Sequence, residues 1–89
     1  MKIKLELYGA SRDFSNKDHL EFDLKEKIEI KHFKKELIDY LEKKFKGNDN
    51  FKKIVETSVF CSEDNNIIND NYKILKDQRI GIIPPIGGG

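Results

Sequence analysis

Residues 31–46 read KHFKKELIDYLEKKFK, and the spacing of their apolar members decides the fold. Phe33, Leu37, Leu41 and Phe45 recur every fourth residue, with Ile38 and Tyr40 beside them. At about 3.6 residues per turn this lays an apolar stripe along one side of a helix of about four turns. Lys34, Lys35, Glu36, Asp39, Glu42, Lys43, Lys44 and Lys46 fall on the other side. Gly47-Asn48 is a stop signal, because both residues tolerate the left-handed conformation that closes helices. No Ser, Thr, Asp or Asn stands just before Lys31 to mark the start.

Outward from the helix the period changes to two. Ile3, Leu5 and Leu7 alternate with Lys2, Lys4, Glu6 and Tyr8, the mark of a strand with one buried face. Gly9 ends it, and 11–16 reads as a polar loop. Alternation resumes at Leu20, Phe22 and Leu24, close enough for the two strands to pair as an antiparallel hairpin. Beyond the helix, Phe51 to Ile54 reads as a short turn or a helix extension, and Val55 to Cys61 as a third strand. Glu63-Asp64-Asn65-Asn66 is a turn, Ile67-Ile68 a short strand, and Tyr72 to Leu75 a tight turn that packs Leu75 under the sheet. Ile80-Gly81-Ile82-Ile83 is the last strand, stopped by Pro84-Pro85. The order strand, strand, helix, strand, short strand, strand allows one sizeable core, a helix laid across one face of a four- or five-stranded mixed sheet. This is the α+β order of the β-grasp, or ubiquitin-like, fold. The expected organisation is one domain over 1–83 and an extended tail over 84–89.

Composition narrows the function. Eighty-nine residues form one domain with little room for a deep enzyme pocket. Seventeen basic residues nearly cancel sixteen acidic ones, giving +1, and Lys and Glu interleave rather than cluster. A nucleic-acid role is therefore not expected. Cys61 is the single cysteine and His19 and His32 stand apart, so neither a disulfide nor a metal site is expected, and Cys61 reads as a packed thiol. The charged start Met1-Lys2-Ile3-Lys4-Leu5 lacks a signal-peptide core, and no apolar run reaches the length of a membrane span. The chain is expected to be soluble and cytoplasmic, without a bound cofactor.

The chemistry-bearing feature is the end, Ile86-Gly87-Gly88-Gly89. Glycine is about 7% of an average chain, so two in the last two places arise by chance in roughly 0.5% of proteins. Pro84 and Pro85 lack backbone donors and favour extended geometry, which ends strand pairing and directs the chain off the sheet. Gly87, Gly88 and Gly89 carry no side chain and can thread a narrow channel. The terminal carboxylate is a poor electrophile until adenylation gives it a leaving group. A sulfur nucleophile can then displace AMP and leave a thiocarboxylate. A disordered, inert tail on a β-grasp binding module is the plain alternative.

Leu75-Lys76-Asp77 followed by Ile80 to Gly89 resembles the end of MoaD, the molybdopterin synthase small subunit of the MoaD–ThiS sulfur-carrier family. The family's hydrophobic strand, Pro-Pro, aliphatic residue, small residue and Gly-Gly are met by Pro84, Pro85, Ile86, Gly87, Gly88 and Gly89. The first strand, Ile3 to Arg12, also looks like the family's opening. Lys76-Asp77-Gln78-Arg79 departs from the family's Lys-Asp-Gly-Asp turn, and 59–65 carries a longer polar turn than its Ala-Val-Asn. The resemblance implies that Gly89 is adenylated and then thiocarboxylated, with ATP used by a ubiquitin-activating-type, MoeB-like enzyme. A sulfurtransferase or cysteine desulfurase would supply the sulfur. Gly88, Gly87, Ile86, Pro85 and Pro84 would thread into a MoaE-type large subunit, where the sulfur passes to a pterin precursor of the molybdenum cofactor. The chain would be a reactant and subunit rather than a catalyst alone. A ubiquitin-like modifier conjugated to lysines, or a sulfur carrier for thiamine or tRNA thiolation, shares the same tail.

Strand alternation gives an expected docking patch. With Ile80 and Ile82 facing the helix, Gly81 and Ile83 face away. The same reading sends Val59 and Cys61 inward and Phe60 outward, so that Phe60, Ile83 and Tyr8 form an apolar patch on the uncovered face. On this reading Phe60→Asp weakens partner binding and spares the fold.

Overall fold

The computed structural model describes residues 1–85. Seven strands, two α-helices and a short 3-10 helix follow one another: β1 (Lys2–Leu7), the 3-10 helix (Gly9–Phe14), β2 (His19–Asp23), β3 (Ile28–Glu29), α1 (Ile30–Lys44), α2 (Asp49–Thr57), β4 (Val59–Cys61), β5 (Ile67–Ile68), β6 (Lys73–Ile74) and β7 (Gln78–Ile83). Five strands form the main sheet in the order β2-β1-β7-β4-β5, and β3 and β6 form a separate two-stranded ladder. The expected hairpin is present: β1 pairs antiparallel with β2, Leu5 opposite Leu20. At the centre β1 runs parallel to β7, with Leu5 opposite Ile80 and Leu7 opposite Ile82. Parallel neighbours need a long crossover, which here carries both helices. This is the β-grasp architecture.

The core lies between the sheet and α1. Ile3, Leu5, Leu7, Leu20, Ile80 and Ile82 from the sheet meet Ile30, Phe33, Leu37 and Leu41 from the helix, all buried. The four-residue stripe of the sequence is the buried stripe of α1. Its first amides have no side-chain cap at Glu29. Instead Ile30 N donates to Tyr72 O at 2.9 Å and Lys31 N to Asp70 O at 3.1 Å. A distant loop thus satisfies amides that a helix start leaves unpaired, which explains the missing local cap. Lys34 Nζ, 2.6 Å from Asp70 Oδ1, ties the same loop to the helix.

Three expectations are corrected. Of the two readings of Phe51 to Ile54, the helical one holds, as a separate helix that runs on through Thr57, so the next strand does not start at Val55. Its Phe51 and Val55, one helical turn apart, are both buried. Phe51 packs tilted on Phe14 (4.9 Å between centroids) and edge-on to Phe45 (5.0 Å). The polar loop after Gly9 is mostly the 3-10 helix, closed by Ser11, which donates to Tyr8 O at 2.6 Å and accepts from Tyr8 N at 2.9 Å. Finally, Tyr72 to Leu75 is not a tight turn burying Leu75. Lys73–Ile74 pairs with Ile28–Glu29; this strand turns Ile74 into the core and leaves Leu75 54% exposed.

Candidate functional site: the open sheet face and the chain exit

Cross-strand neighbours share a face of the sheet. Val59 stands opposite Ile83, Phe60 opposite Ile82, and Cys61 opposite Gly81 on β7 and Ile67 on β5. Ile82 is buried, so Phe60 is too, at 1% exposure. The expected outward Phe60 and inward Val59 and Cys61 are therefore reversed. The cause is α2: the strand begins only at Val59, and its face is set by pairing to β7 rather than by counting from Val55. Phe60 is a core residue with the Lys34 ammonium 5.2 Å above its ring. Phe60→Asp would bury a charge and test the fold, not a docking surface.

The face away from α1 carries a different apolar set. Tyr8, Val59, Ile67 and Ile83 are exposed, at 47%, 44%, 73% and 36%, and Cys61 is half-buried among them. Tyr8 and Ile83 lie where expected, and Val59 takes the place given to Phe60. Alternation alone could not choose between the two faces; the pairing of Phe60 with Ile82 does. Gly81 sits beneath the Tyr8 ring: a β-carbon there would stand 3.3 Å from Tyr8 Cε2. The absence of a side chain lets the ring lie down on the sheet. Charges fence the other end of this face. Arg79 Nε lies 3.2 Å from Glu6 Oε1, Arg79 Nη2 donates to Glu63 O at 3.0 Å, and Lys76 Nζ is 3.5 Å from Glu63 Oε1.

The chain leaves the sheet beside the apolar end of this face. β7 stops at Ile83, where Pro84 brings no amide to continue the ladder. Pro84 is buried and Pro85 exposed. Gly9, at φ +55°, lies beside Pro84: a β-carbon there would stand in ordinary contact, 3.8 Å from Pro84 Cδ. Pro84 packs against the folded body. Pro84 and Pro85 border a groove of about 300 Å³ whose other wall is Asn50, Lys53, Ile54 and Thr57 of α2. Ile86, Gly87, Gly88 and Gly89 lie outside the described residues.

No protein-family model matches the chain, and no curated protein sequence matches it. Solved structures do. SAMP1 from Haloferax volcanii, a ubiquitin-like small archaeal modifier, superposes with a TM-score of 0.69 over 100% of both chains at 12% identity. A Pyrococcus furiosus protein assigned as molybdopterin converting factor, subunit 1, superposes with a TM-score of 0.65 at 18% identity, covering 96% of this chain and 98% of that one. The chain has the MoaD-like, ubiquitin-like fold. At these identities it is the course of the backbone that is shared. Both superpositions span nearly the whole chain.

Elsewhere the described residues offer little chemistry. They bring no three His, Cys, Asp or Glu together as metal ligands. No helix among them is long and apolar enough to cross a membrane. His19 lies between two carboxylates, Nδ1 2.9 Å from Asp18 and Nε2 3.3 Å from Glu21. The hydrogen bond from His19 holds the Asp18 carboxyl below its ordinary 3.8.

Proposed function

We propose that this chain is a ubiquitin-like sulfur carrier that acts as the small subunit of a molybdopterin synthase, with the Gly89 carboxyl group as its reacting end. One observation carries the reading most. The buried Pro84 fixes the point at which a Gly-rich end leaves a β-grasp body, beside an apolar sheet face. The likeness to molybdopterin converting factor subunit 1 supports it.

In this scheme a MoeB-like enzyme transfers AMP from ATP to the Gly89 carboxylate, releasing pyrophosphate. The terminal sulfur of a persulfide on a sulfurtransferase or a cysteine desulfurase then attacks the acyl carbon, and AMP leaves. A second thiol attacks the acyl disulfide so formed and is oxidised to a disulfide with the donor cysteine. The product is a thiocarboxylate. Gly87 and Gly88 let the end pass into the partner's site, Ile86 and Pro85 bridge to the body, and Pro84 is the fixed point. A MoaE-type large subunit takes the sulfur into the pterin precursor, and the carboxylate is restored. Tyr8, Val59, Ile67 and Ile83 are the surface on which these partners settle, in the cytoplasm.

A second reading has its own support in the superposition with SAMP1: the activated Gly89 is passed to target lysines as an isopeptide. Both readings share the adenylate and part at the next nucleophile. Intact-mass analysis after incubation with the adenylating enzyme, ATP and a sulfur donor tests them. Exchange of one oxygen for sulfur, abolished by deleting Gly89, is the result expected of the carrier. Lysine conjugates in extract with no thiocarboxylate would favour the modifier, and no change of mass would remove both.

A further inference from the structure

A second surface lies at the other end of the molecule. Lys27, Ile28, Glu29, His32, Lys73 and Leu75 line an open cleft of about 420 Å³. It is built on the β3–β6 ladder, where Ile28 faces Ile74 and Glu29 faces Lys73, and on the first turn of α1, which contributes His32. Its place is set by Tyr72, whose hydroxyl donates to Gln78 Oε1 at 3.0 Å just before β6. Gln78 opens β7 and Ile83 closes it. The cleft shares no lining residue with the groove at Pro84 and Pro85.

The floor of the cleft is aliphatic and its rim cationic. Leu75 is exposed although its neighbour Ile74 is in the core, and Ile28 is half-buried. The one acid, Glu29, is drawn to Lys31, with Oε1 3.4 Å from that ammonium. Among the described residues neither Lys27 nor Lys73 lies within ion-pair distance of a carboxylate, unlike Arg79, Lys76 and Lys34. Arg79 and Lys76 on the open sheet face meet acids of the chain's own; Lys27 and Lys73 at this cleft do not.

We infer that the β3–β6 cleft docks a short partner segment that presents an aliphatic side chain flanked by carboxylates. The aliphatic group covers Leu75 and Ile28, and the carboxylates meet Lys27 and Lys73. Charge complementarity selects the occupant: a basic segment is repelled and a purely apolar one leaves both ammonium groups unmatched. A partner held here leaves the exit at Pro84 uncovered, so docking and use of the chain's end are separable. The inference does not depend on the fate of Gly89.

The test is an NMR titration of the isotope-labelled full chain with the synthetic peptide Asp-Glu-Ile-Leu-Glu-Asp. The expected result is saturable shifts of the amides of Lys27 to His32 and Lys73 to Leu75. The dissociation constant should rise about tenfold in Lys73→Glu and in Leu75→Asp. These residues are exposed, and an unchanged circular dichroism spectrum confirms that the variants fold. Absence of saturable shifts would overturn the inference, as would shifts confined to the open sheet face. Equal binding of a control peptide with lysine at each acidic place, or capture by anionic vesicles instead of the peptide, would also overturn it.

Discussion

Phe60 lies directly across the β4–β7 ladder from Ile82, and both side chains are sealed in the core. Fixing this pair fixes the face of every residue on β4. Phe60→Ala should destabilise the protein by about 3–5 kcal/mol, the usual cost of deleting a buried aromatic ring. Val59→Asp, one residue away on the open face, should change stability by less than about 0.5 kcal/mol. Urea unfolding monitored by circular dichroism separates the two; comparable losses would mean that the assigned faces are wrong.

Gly81→Ala tests the seat of Tyr8. The new methyl arrives 3.3 Å from Tyr8 Cε2, tighter than ordinary contact, but the ring is exposed enough to swing aside. We expect a loss of about 1 kcal/mol or less, and a smaller loss in a Tyr8→Ala background. A double-mutant cycle measures the difference. No coupling would show that the ring does not rest on Gly81.

Gly9→Ala isolates a backbone effect. At φ +55° a β-carbon is strained, while its nearest approach to Pro84 Cδ, 3.8 Å, is ordinary contact. The cost should be about 1–2 kcal/mol, from the left-handed conformation and not from collision. Gly47→Ala, at φ +83° with open space around it, should be comparable. A much larger loss at Gly9 alone would point to the proline contact instead.

Asp18 gives the pH dependence. Its carboxyl is held below 3.8 first of all by the hydrogen bond from His19. A lowered native pKa means that the unfolded chain binds the proton more tightly. The contribution is present above the unfolded value, about 3.9, and is lost as pH falls through the native one. Asp18→Asn should therefore flatten the stability profile below about pH 4. Thermal melts across the acid range read this out, and identical slopes for both proteins would contradict it.

How much of this was legible in the sequence depends on the distance over which each element is decided. The stripe Phe33, Leu37, Leu41 is a local signal strong enough to place α1, and strict alternation placed β1. The order of elements then led to the correct fold. Helix α2 was harder, because β-branched Val55 and Thr57 suit a strand as well. The turn spacing of Phe51 and Val55 pointed the other way. Misplacing the end of α2 reversed β4 and moved Phe60 to the wrong face. The β3–β6 ladder had no local signal. Two residues at each of two distant places pair only because α1 brings them together, and that pairing decides that Ile74, not Leu75, enters the core. The glycines of the end were conspicuous by composition alone, yet the burial of Pro84, with Gly9 beside it, brings together places 75 residues apart.

The arrangement around β7 also has a mechanical side. This strand runs between β1, parallel to it, and β4, antiparallel to it, and carries the chain out at Pro84. An enzyme that draws residues past Pro85 into a narrow site pulls along the axis of β7. Such a load falls on the ladders of both neighbours together, in shear, instead of opening them one bond at a time. Under the proposed function, the last described residues are moored to the part of the sheet best able to bear the tension a partner would apply.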